Sequence, residues 1–240
     1  MNILITGASG DLGHSLRKAF PDACCPSHKE MDISNSSSVI KTILKFKPHA
    51  VIHAAALVGI RECEENKKKA WLTNVEGTQN IVDAVKKLNN NCHLIYLSTA
   101  CVFAGENEKH YTEDDTPSPK NYYSLTKLCG EIITRQHNNT CIIRTNFVPK
   151  KQWKYPKAFI DRFGTYLFSD NVAIGIQEVA KKKEKGIIHI VGDKRMSMYE
   201  LAILAGSKNV DKMSLDEYKG PSLTVDMSLS TKRWKKYKIK

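Results

Sequence analysis

The sequence lacks any run of apolar residues long enough to cross a membrane. A transmembrane helix needs about 18–20 consecutive apolar residues, and no stretch of the 240-residue chain approaches that length. The first residues, Met1–Gly7, carry no basic segment and reach glycine early, which is not the pattern of a secretory signal. We therefore expect no membrane association and a cytoplasmic protein.

The chain also lacks paired cysteines with zinc-binding spacing. It has seven cysteines and no CxxC motif, so we predict free thiols in a reducing compartment and no metal site. Hydrophobic residues make up 41% and charged residues 26%, which is typical of a folded globular protein and argues against disorder. The length suits one large domain or a domain with a small lobe.

Acidic residues are the minority among the charges. The 37 Lys and Arg against 25 Asp and Glu give a net charge of +12, which can indicate a nucleic acid, a membrane surface or an anionic small molecule. Much of the excess lies in local runs at 67–69, 181–183 and 232–240, and such runs are typical of solvated surfaces. Zinc-finger, RNA-binding aromatic and basic-zipper motifs are missing, so we predict no nucleic-acid partner. A positive field also suits a dianionic nucleotide sugar.

Strand and helix patterns alternate along the chain. Apolar segments predict strands at 2–6, 50–55, 92–98 and 140–145, with a second short strand near 23–25, and helical spacing predicts helices at 12–20, 39–46, 70–88, 122–138, 172–183 and 197–205. This order indicates an α/β fold with a Rossmann-type doubly wound parallel sheet. We expect residues 1–148 to bind the cofactor and carry the catalytic groups. Residues 149–240 would mainly form a small C-terminal substrate lobe, with some elements returning to the sheet.

A glycine-rich turn follows the first strand. Gly7, Gly10 and Gly13 stand directly after that strand and before a helix. Such a turn lets backbone N–H groups approach a pyrophosphate at the helix N-terminus. The alternative is a tight turn without a ligand. We predict a dinucleotide site formed by Gly7, Ser9, Gly10, Asp11, Leu12 and Gly13.

The segment after the expected second strand carries no carboxylate. His28 and Lys29 stand where an Asp or Glu would bind a ribose 2′-hydroxyl and repel a 2′-phosphate. We therefore expect NADPH as the cofactor, with NADH left as the alternative.

A second motif has the pattern of proton-transfer chemistry. Thr99 ends a strand, and Tyr123 and Lys127 share one helix face at i and i+4. A free phenol has a pKa near ~10, and a nearby ammonium group should lower it. Such a tyrosine can protonate a carbonyl oxygen while Thr99 hydrogen-bonds it and the lysine holds the nicotinamide ribose. Tyr122 is a weaker candidate because Lys127 is then five residues away.

The ordered set of motifs resembles the extended short-chain dehydrogenase/reductase family. It comprises the glycine turn, the His53–Ala56 segment, the Asn74–Thr78 segment, the Ser98-Thr99 pair and the YxxxK pair. The resemblance implies that Asp32 and Ile33 lie near the adenine and that Asn74 stabilises the central strand beside the cofactor. It further implies that the cofactor lies over small side chains at Ala54, Ala55 and Ala56.

Other segments are similar to the dTDP-4-dehydrorhamnose reductase branch of that family. These segments are residues 97–105, 111–117 and the Gly130-Glu131 pair. The similarity implies NAD(P)H-dependent reduction of a 4-keto group on a dTDP-, UDP- or GDP-linked 6-deoxyhexose, as in rhamnose synthesis. The substrate would then meet Ala100, Phe103, Asn146, Phe147, Lys150 and Arg195.

One departure from the branch pattern raises a further expectation. The branch usually reads STDYVF, whereas Ala100 and Cys101 replace the Asp and Tyr here. A cysteine at this place resembles GDP-fucose synthase and the plant-type UDP-rhamnose epimerase/reductases, in which it acts as a base beside the ketone. Cys101 is therefore a candidate catalytic base for 3- or 3,5-epimerisation, and a small packed cysteine is the alternative. Its partner acid stays open among Lys150, Lys157 and Arg162.

Two other functions remain open at this point. One is a sugar-nucleotide epimerase without net reduction. The other is a non-catalytic nucleotide-binding subunit, since the regulatory subunit of methionine adenosyltransferase resembles the same branch. The sequence leaves the identity of the nucleotide, the sugar and a possible homodimer undecided.

Overall fold

The computed structural model describes residues 1–88, 91–106 and 109–239 as a three-layer α/β arrangement. The strands of these residues, numbered along the chain, are β1 (Ile3–Thr6), β2 (Ala50–His53), β3 (His93–Leu97), β4 (Thr140–Thr145), β5 (Phe147–Val148), β6 (Lys157–Phe159), β7 (Phe163–Gly164), β8 (Leu167–Phe168), β9 (Gly186–Gly192), β10 (Met196–Ser197), β11 (Asp211–Met213), β12 (Asp226–Met227) and β13 (Lys236–Tyr237). The main sheet has the spatial order β1-β2-β3-β4-β9-β13, and all of its neighbouring pairs are parallel.

Helices cover both faces of the main sheet. Within the described residues they are α1 (Asp11–Ala19), α2 (Ser36–Phe46), α3 (Ile60–Glu65), α4 (Lys67–Trp71), α5 (Gly77–Lys86), α6 (Tyr122–Thr134), α7 (Ser169–Lys182) and α8 (Met198–Leu204). Side chains alternate across a strand, so Ile3 and Ile5 pack with α1 and α7 while Leu4 packs with α2 and α5. The expected Rossmann-type parallel sheet is confirmed, because strands buried on both faces need helices on both sides.

The predicted elements differ from the structure in three places. The strand expected at 23–25 is a single bridge between Leu4 and Cys24, which extends the sheet beyond β1. The helix expected at 70–88 is divided by a π-helical turn at Leu72–Glu76. The helix expected at 122–138 ends at Thr134, and the chain then turns into β4.

The chain after residue 148 contributes to two parts of the molecule. Strands β9 and β13 belong to the main sheet, and helix α7 covers it. The three-stranded sheet β10-β7-β12 and the two-stranded sheets β11-β6 and β5-β8 build a smaller lobe. The division of the chain at residue 148 stays a prediction. None of the described helices is both long and apolar enough to span a membrane.

Candidate active site

A cleft of about 760 Å³ lies at the carboxyl ends of the central strands and joins the two sequence motifs. Parallel sheets of this type bind ligands at this edge. The predicted residues that line the cleft are Gly7, Ser9, Gly10, Asp11, Leu12, Gly13, His28, Asp32, Ile33, Ala54, Ala55, Ala56, Thr99, Cys101, Tyr123, Lys127, Asn146 and Phe147. The glycine turn and the tyrosine–lysine pair therefore face one common space.

The glycine turn is built so closely that two of its positions exclude a side chain. Gly7 has a φ of +73°, and a Cβ there would lie 2.6 Å from the backbone nitrogen of Ala55. A Cβ on Gly13 would lie 2.3 Å from the carbonyl oxygen of Gly7. Gly10 is the N-cap of α1, and no side chain caps the helix. The first N–H groups of α1 are thus available to an anion, so this cradle fits a dinucleotide pyrophosphate.

His53 links the residue before the glycine turn to helix α5 through two hydrogen bonds, a role that the sequence does not reveal. Its Nδ1 lies 2.7 Å from the hydroxyl of Thr6 and its Nε2 lies 3.1 Å from that of Thr78. Thr78 donates its own proton to the carbonyl of Asn74, so Nε2 carries the imidazole hydrogen. Burial, with Lys127 nearby, lowers the pKa of His53 to about 3, which keeps the ring neutral.

The side chain of Asn74 hydrogen-bonds two separate segments of the chain and does not line the cleft. Its amide exchanges two hydrogen bonds with the backbone of Leu57, at 2.7 and 3.0 Å, and donates to the hydroxyl of Thr126 at 2.9 Å. The expectation that Asn74 holds the central strand is therefore wrong. It fixes the segment after β2 to α6, one residue before Lys127, and a π-helical turn places it there.

The phenol of Tyr123 and the hydroxyl of Thr99 meet at the inner end of the cleft. Thr99 caps the 3₁₀ turn Ala100–Val102, with its hydroxyl accepting from the N–H of Cys101 at 3.1 Å. Tyr122 is directed elsewhere, because its N–H donates to Glu64 at 2.7 Å and its ring lies under Lys67. The helix face chosen from the spacing is thus the one that lines the cleft.

The pKa values of Tyr123 and Lys127 differ from the expected ones. Burial raises the pKa of Tyr123, as does the neighbouring Cys101, while a hydrogen bond with Thr99 acts in the opposite direction. Burial also lowers the pKa of Lys127 to about 7, and Glu131 acts against that shift. The pKa of Tyr123 is therefore raised, and not lowered as the spacing of Tyr123 and Lys127 predicted, because desolvation of the buried phenol is the largest effect.

Lys127 is buried on an aromatic support. Its Nζ lies 4.2 Å from the ring centroid of Tyr96, and the Tyr96 hydroxyl donates to the Lys127 carbonyl at 3.3 Å. This packing requires Gly130, since a Cβ there would lie 2.1 Å from the Tyr96 hydroxyl. The conformation of the lysine is thus held by contacts that the YxxxK motif does not encode.

A buried ion pair lies one helical turn beyond Lys127. Arg144 binds both carboxylate oxygens of Glu131, at 2.9 and 2.7 Å, and Ser98 donates to the same carboxylate at 2.5 Å. Both charged side chains are at most 1% exposed. This pair fastens α6 to the ends of β3 and β4, and neither residue was predicted to have a role in the site.

Cys101 is a wall residue of the cleft with little exposure. It is 7% exposed, and its Sγ lies 3.2 Å from the Sδ of Met227. The thiol is close enough to Tyr123 to raise the pKa of that phenol. Its role as a base stays a prediction.

His28 occupies the cleft near the expected adenosine end. Its Nε2 lies 3.6 Å from the carboxylate of Asp32, and both side chains line the cleft. Lys29 is exposed and outside the cleft wall. Asp32 itself accepts from the hydroxyl of Ser34, which together with the Ser34 N–H and His28 lowers the pKa of the carboxyl.

The remaining predicted substrate residues lie outside the cleft wall. Ala100 and Phe103 are fully buried, and Phe103 stacks on Tyr111, so their predicted substrate contact is replaced by core packing. Arg195 lies over Phe163 and pairs with Asp226 at 2.8 Å. Lys150 is exposed, 5.7 Å from the ring of Phe168. Lys151, the neighbour of Lys150, approaches the cleft, since it pairs with Asp11 at 2.8 Å.

The described residues contain no cluster of metal-ligating side chains. All seven cysteines are free thiols.

A family model described as the RmlD substrate binding domain matches residues 1–213. The chain belongs to the RmlD family. Because that match spans the glycine turn, the YxxxK helix and most of the smaller lobe, the expected membership of the extended short-chain dehydrogenases/reductases, on the dTDP-4-dehydrorhamnose reductase branch, is confirmed.

Curated relatives of this RmlD-family chain include a reductase and a subunit of methionine adenosyltransferase. It is 30% identical over 228 residues to a dTDP-4-dehydrorhamnose reductase of Aggregatibacter actinomycetemcomitans, covering 84% of this chain and 76% of the relative. It is 29% identical over 237 residues to methionine adenosyltransferase 2 subunit beta of Rattus norvegicus, covering 83% and 70%. A dTDP-4-dehydrorhamnose reductase of Bacillus anthracis in complex with NADP shares the fold, with a TM-score of 0.88, 24% identity and coverage of 96% and 91%.

Proposed function

We propose that the chain is an NADPH-dependent reductase of the 4-keto group of a nucleotide-linked 4-keto-6-deoxyhexose. The observation that carries the proposal is the common cleft that joins the glycine turn to Thr99, Tyr123 and Lys127. The dTDP-4-dehydrorhamnose reductase relative supports the substrate class, and the structure in complex with NADP supports the cofactor.

The cofactor site is proposed from the contacts that the turn offers. The N–H groups at the start of α1 would hold the pyrophosphate, and the alanines after β2 would leave space for the cofactor over the sheet. The segment 24–29 carries no carboxylate, and His28 lies in the cleft. A 2′-phosphate would therefore meet no repelling charge from that segment, which favours NADPH over NADH.

The chemistry needs one hydride and one proton. The reduced nicotinamide would supply the hydride to the ketone carbon. Tyr123 would give its phenolic proton to the ketone oxygen, while Thr99 donates a hydrogen bond to the same oxygen. The raised pKa of Tyr123 keeps it protonated, as a general acid must be. Lys127 would hold the nicotinamide ribose and return a proton to the phenolate after the transfer.

Epimerisation at a neighbouring carbon is a separate proposal. Cys101 lines the cleft two residues after Thr99, which would place its sulfur beside the carbons next to the ketone. No partner acid is assigned. If the Cys101→Ala variant incorporates solvent deuterium into the product at the wild-type rate, the sulfur is not the base.

A second candidate function rests on the methionine adenosyltransferase relatives. Their similarity covers 83% of this chain, so a nucleotide-binding subunit of the same fold is the alternative. The intact set of Thr99, Tyr123 and Lys127 favours the enzyme. Cytoplasmic location and a homodimer remain predictions.

One experiment separates the two candidates. The purified protein would be incubated with NADPH and dTDP-, UDP- and GDP-linked 4-keto-6-deoxyhexoses, including 2-acetamido forms. Loss of the 340 nm absorbance of reduced nicotinamide and NMR of the product identify the substrate and its stereochemistry. NADPH binding without turnover of any member of the panel would instead favour the non-catalytic subunit.

A further inference from the structure

The side chain of Arg162 is a buried cation with unusually weak partners. It is 7% exposed, and its Nε donates to the carbonyl of Thr224 at 2.9 Å. Its other contacts are thioether sulfurs: Nη1 lies 3.3 Å from Met198 and Nη2 lies 3.4 Å from Met227. Within the described residues, no carboxylate lies within ion-pair distance of this guanidinium. Buried charges normally have strong, oppositely charged or oxygen partners.

The acidic residue next to Met227 in the sequence is already engaged. Asp226 precedes Met227 in β12, and it binds Arg195 at 2.8 Å and the N–H of Ser228 at 2.9 Å. A thioether sulfur is a weak acceptor. The guanidinium of Arg162 is therefore only partly satisfied by the protein.

Further hydrogen-bond donors surround the same sulfur. The Sδ of Met227 also lies 3.2 Å from the Sγ of Cys101 and 3.6 Å from the Nδ2 of Asn146. Cys101 and Asn146 line the cleft beside Thr99 and Phe147. One flexible methionine thus separates the buried cation from the part of the cleft that the substrate sugar would occupy.

The buried hydroxyl of Tyr166 is a second, independent group that lacks a strong hydrogen-bond partner. Its side chain is 2% exposed, and its hydroxyl has no hydrogen-bond partner among the described residues. Arg162 and Cys101 are both close enough to shift the pKa of this phenol. Asn146 is its polar neighbour and lowers the pKa of the phenol, although the two groups do not reach the geometry of a full hydrogen bond. Gly164 leaves the space for both, since a Cβ there would lie 2.9 Å from each. A buried hydroxyl without a partner costs free energy.

We propose that Arg162 and Tyr166 form a subsite that binds an anionic or strongly accepting oxygen of the nucleotide-sugar substrate, with the Met227 side chain moving aside. The inference rests on the proposed function and names two specificity residues for it. An oxygen ligand would replace weak sulfur contacts with charge-assisted hydrogen bonds. Methionine suits the displaced position because its side chain is flexible. The oxygen can come from the diphosphate or from the sugar.

The test uses Tyr166→Phe and Arg162→Met, with Arg135→Met as the matched control. Arg135 is exposed at the end of α6, on the opposite edge of the sheet. Calorimetry would measure the affinity for dTDP, for UDP and for their 6-deoxyhexose conjugates, and cofactor fluorescence would measure NADPH affinity. We expect Tyr166→Phe to keep the wild-type melting temperature and NADPH affinity but to lose about 3- to 10-fold in conjugate affinity, since one hydrogen bond is removed. Arg162→Met should lose about 10- to 100-fold.

The pattern of losses identifies the source of the oxygen. If the variants lose affinity for free dTDP or UDP as well as for the conjugates, the oxygen belongs to the diphosphate. If they lose affinity for the conjugates only, the oxygen belongs to the sugar. Unchanged affinities in both variants, a parallel loss of NADPH affinity, or no binding of any probe by the wild-type protein would overturn the subsite. If the wild-type protein binds the conjugates but does not oxidise NADPH with any of the keto sugars, the proposed reduction is refuted and the subsite proposal stands.

Discussion

Glu131 on α6 and Arg144 on β4 form a bidentate ion pair that is buried from solvent between the helix and the sheet. The pair joins α6 to β4, and Ser98 extends it to the end of β3. The position of Lys127, one turn before Glu131, depends on this anchor.

Breaking this pair should destabilise the protein strongly. Glu131→Gln leaves the Arg144 charge buried without its partner, so we expect the free energy of unfolding to fall by about 3–5 kcal/mol. Urea denaturation measures the change. Glu65→Gln, on the exposed surface of α3, should change the stability by less than about 0.5 kcal/mol. Equal stabilities of the two variants would show that the pair does not anchor the helix.

The two candidate phenols on α6 should differ sharply in their effect on turnover. Tyr123→Phe removes the proposed proton donor, and we expect kcat to fall by about 10²- to 10⁴-fold with NADPH affinity retained. Tyr122→Phe, on the side that faces Lys67, should keep kcat within about threefold. Stopped-flow measurement of NADPH oxidation gives both values. Wild-type turnover by Tyr123→Phe would remove the basis of the proposed reaction.

Alanine substitutions at two glycines of the turn should affect stability and cofactor binding differently. Gly13→Ala places a methyl group against the Gly7 carbonyl, so we expect a loss of about 1–3 kcal/mol in stability as well as weaker NADPH binding. In Gly10→Ala the new Cβ has an ordinary contact of 3.4 Å, so this variant should fold with the wild-type melting temperature and lose cofactor affinity alone. Thermal melts with and without NADPH check both expectations. A Gly13→Ala protein as stable as the wild type would contradict the close packing.

The buried His53 should make the protein sensitive to acid. Its pKa is about 3 in the folded state against 6.5 for a free histidine, so the unfolded state binds more protons between these values. The free energy of unfolding should therefore fall as the pH drops from 6.5 toward 3, at up to about 1.4 kcal/mol per pH unit. His53→Gln should reduce this slope, to which the buried His93 and His189 also contribute because burial lowers the pKa of each. His14→Gln, exposed on α1, should keep the full slope. An unchanged slope in His53→Gln would show that other groups control acid unfolding.

Cofactor preference should depend on His28 rather than on Lys29. A carboxylate in His28→Glu would repel a 2′-phosphate, so we expect the ratio of kcat/KM for NADPH over NADH to fall about tenfold or more. Lys29→Gln should change the ratio much less because Lys29 lies outside the cleft wall. Initial rates with both cofactors measure the ratio. A wild-type preference for NADH would refute the NADPH assignment.

Local sequence predicted the parts of the site that depend on backbone geometry. Gly7 and Gly13 could be recognised because only glycine tolerates such close backbone approach, and Tyr123 and Lys127 could be recognised because helical spacing puts them on one face. The predicted substrate contacts of Ala100 and Phe103 were wrong for this structure. A 3₁₀ turn after Thr99 directs them into the core, and the spacing of the residues gives no sign of that turn.

The sequence by itself determined the individual strands and helices, the glycine turn and the shared face of Tyr123 and Lys127, because each depends on neighbours within a few positions of the chain. Only the tertiary structure decided the protonation of Lys127 and the partners of Glu131, His53 and Arg162. Their environments are assembled from strands and helices far apart in sequence, and desolvation and hydrogen bonding act through space rather than along the chain.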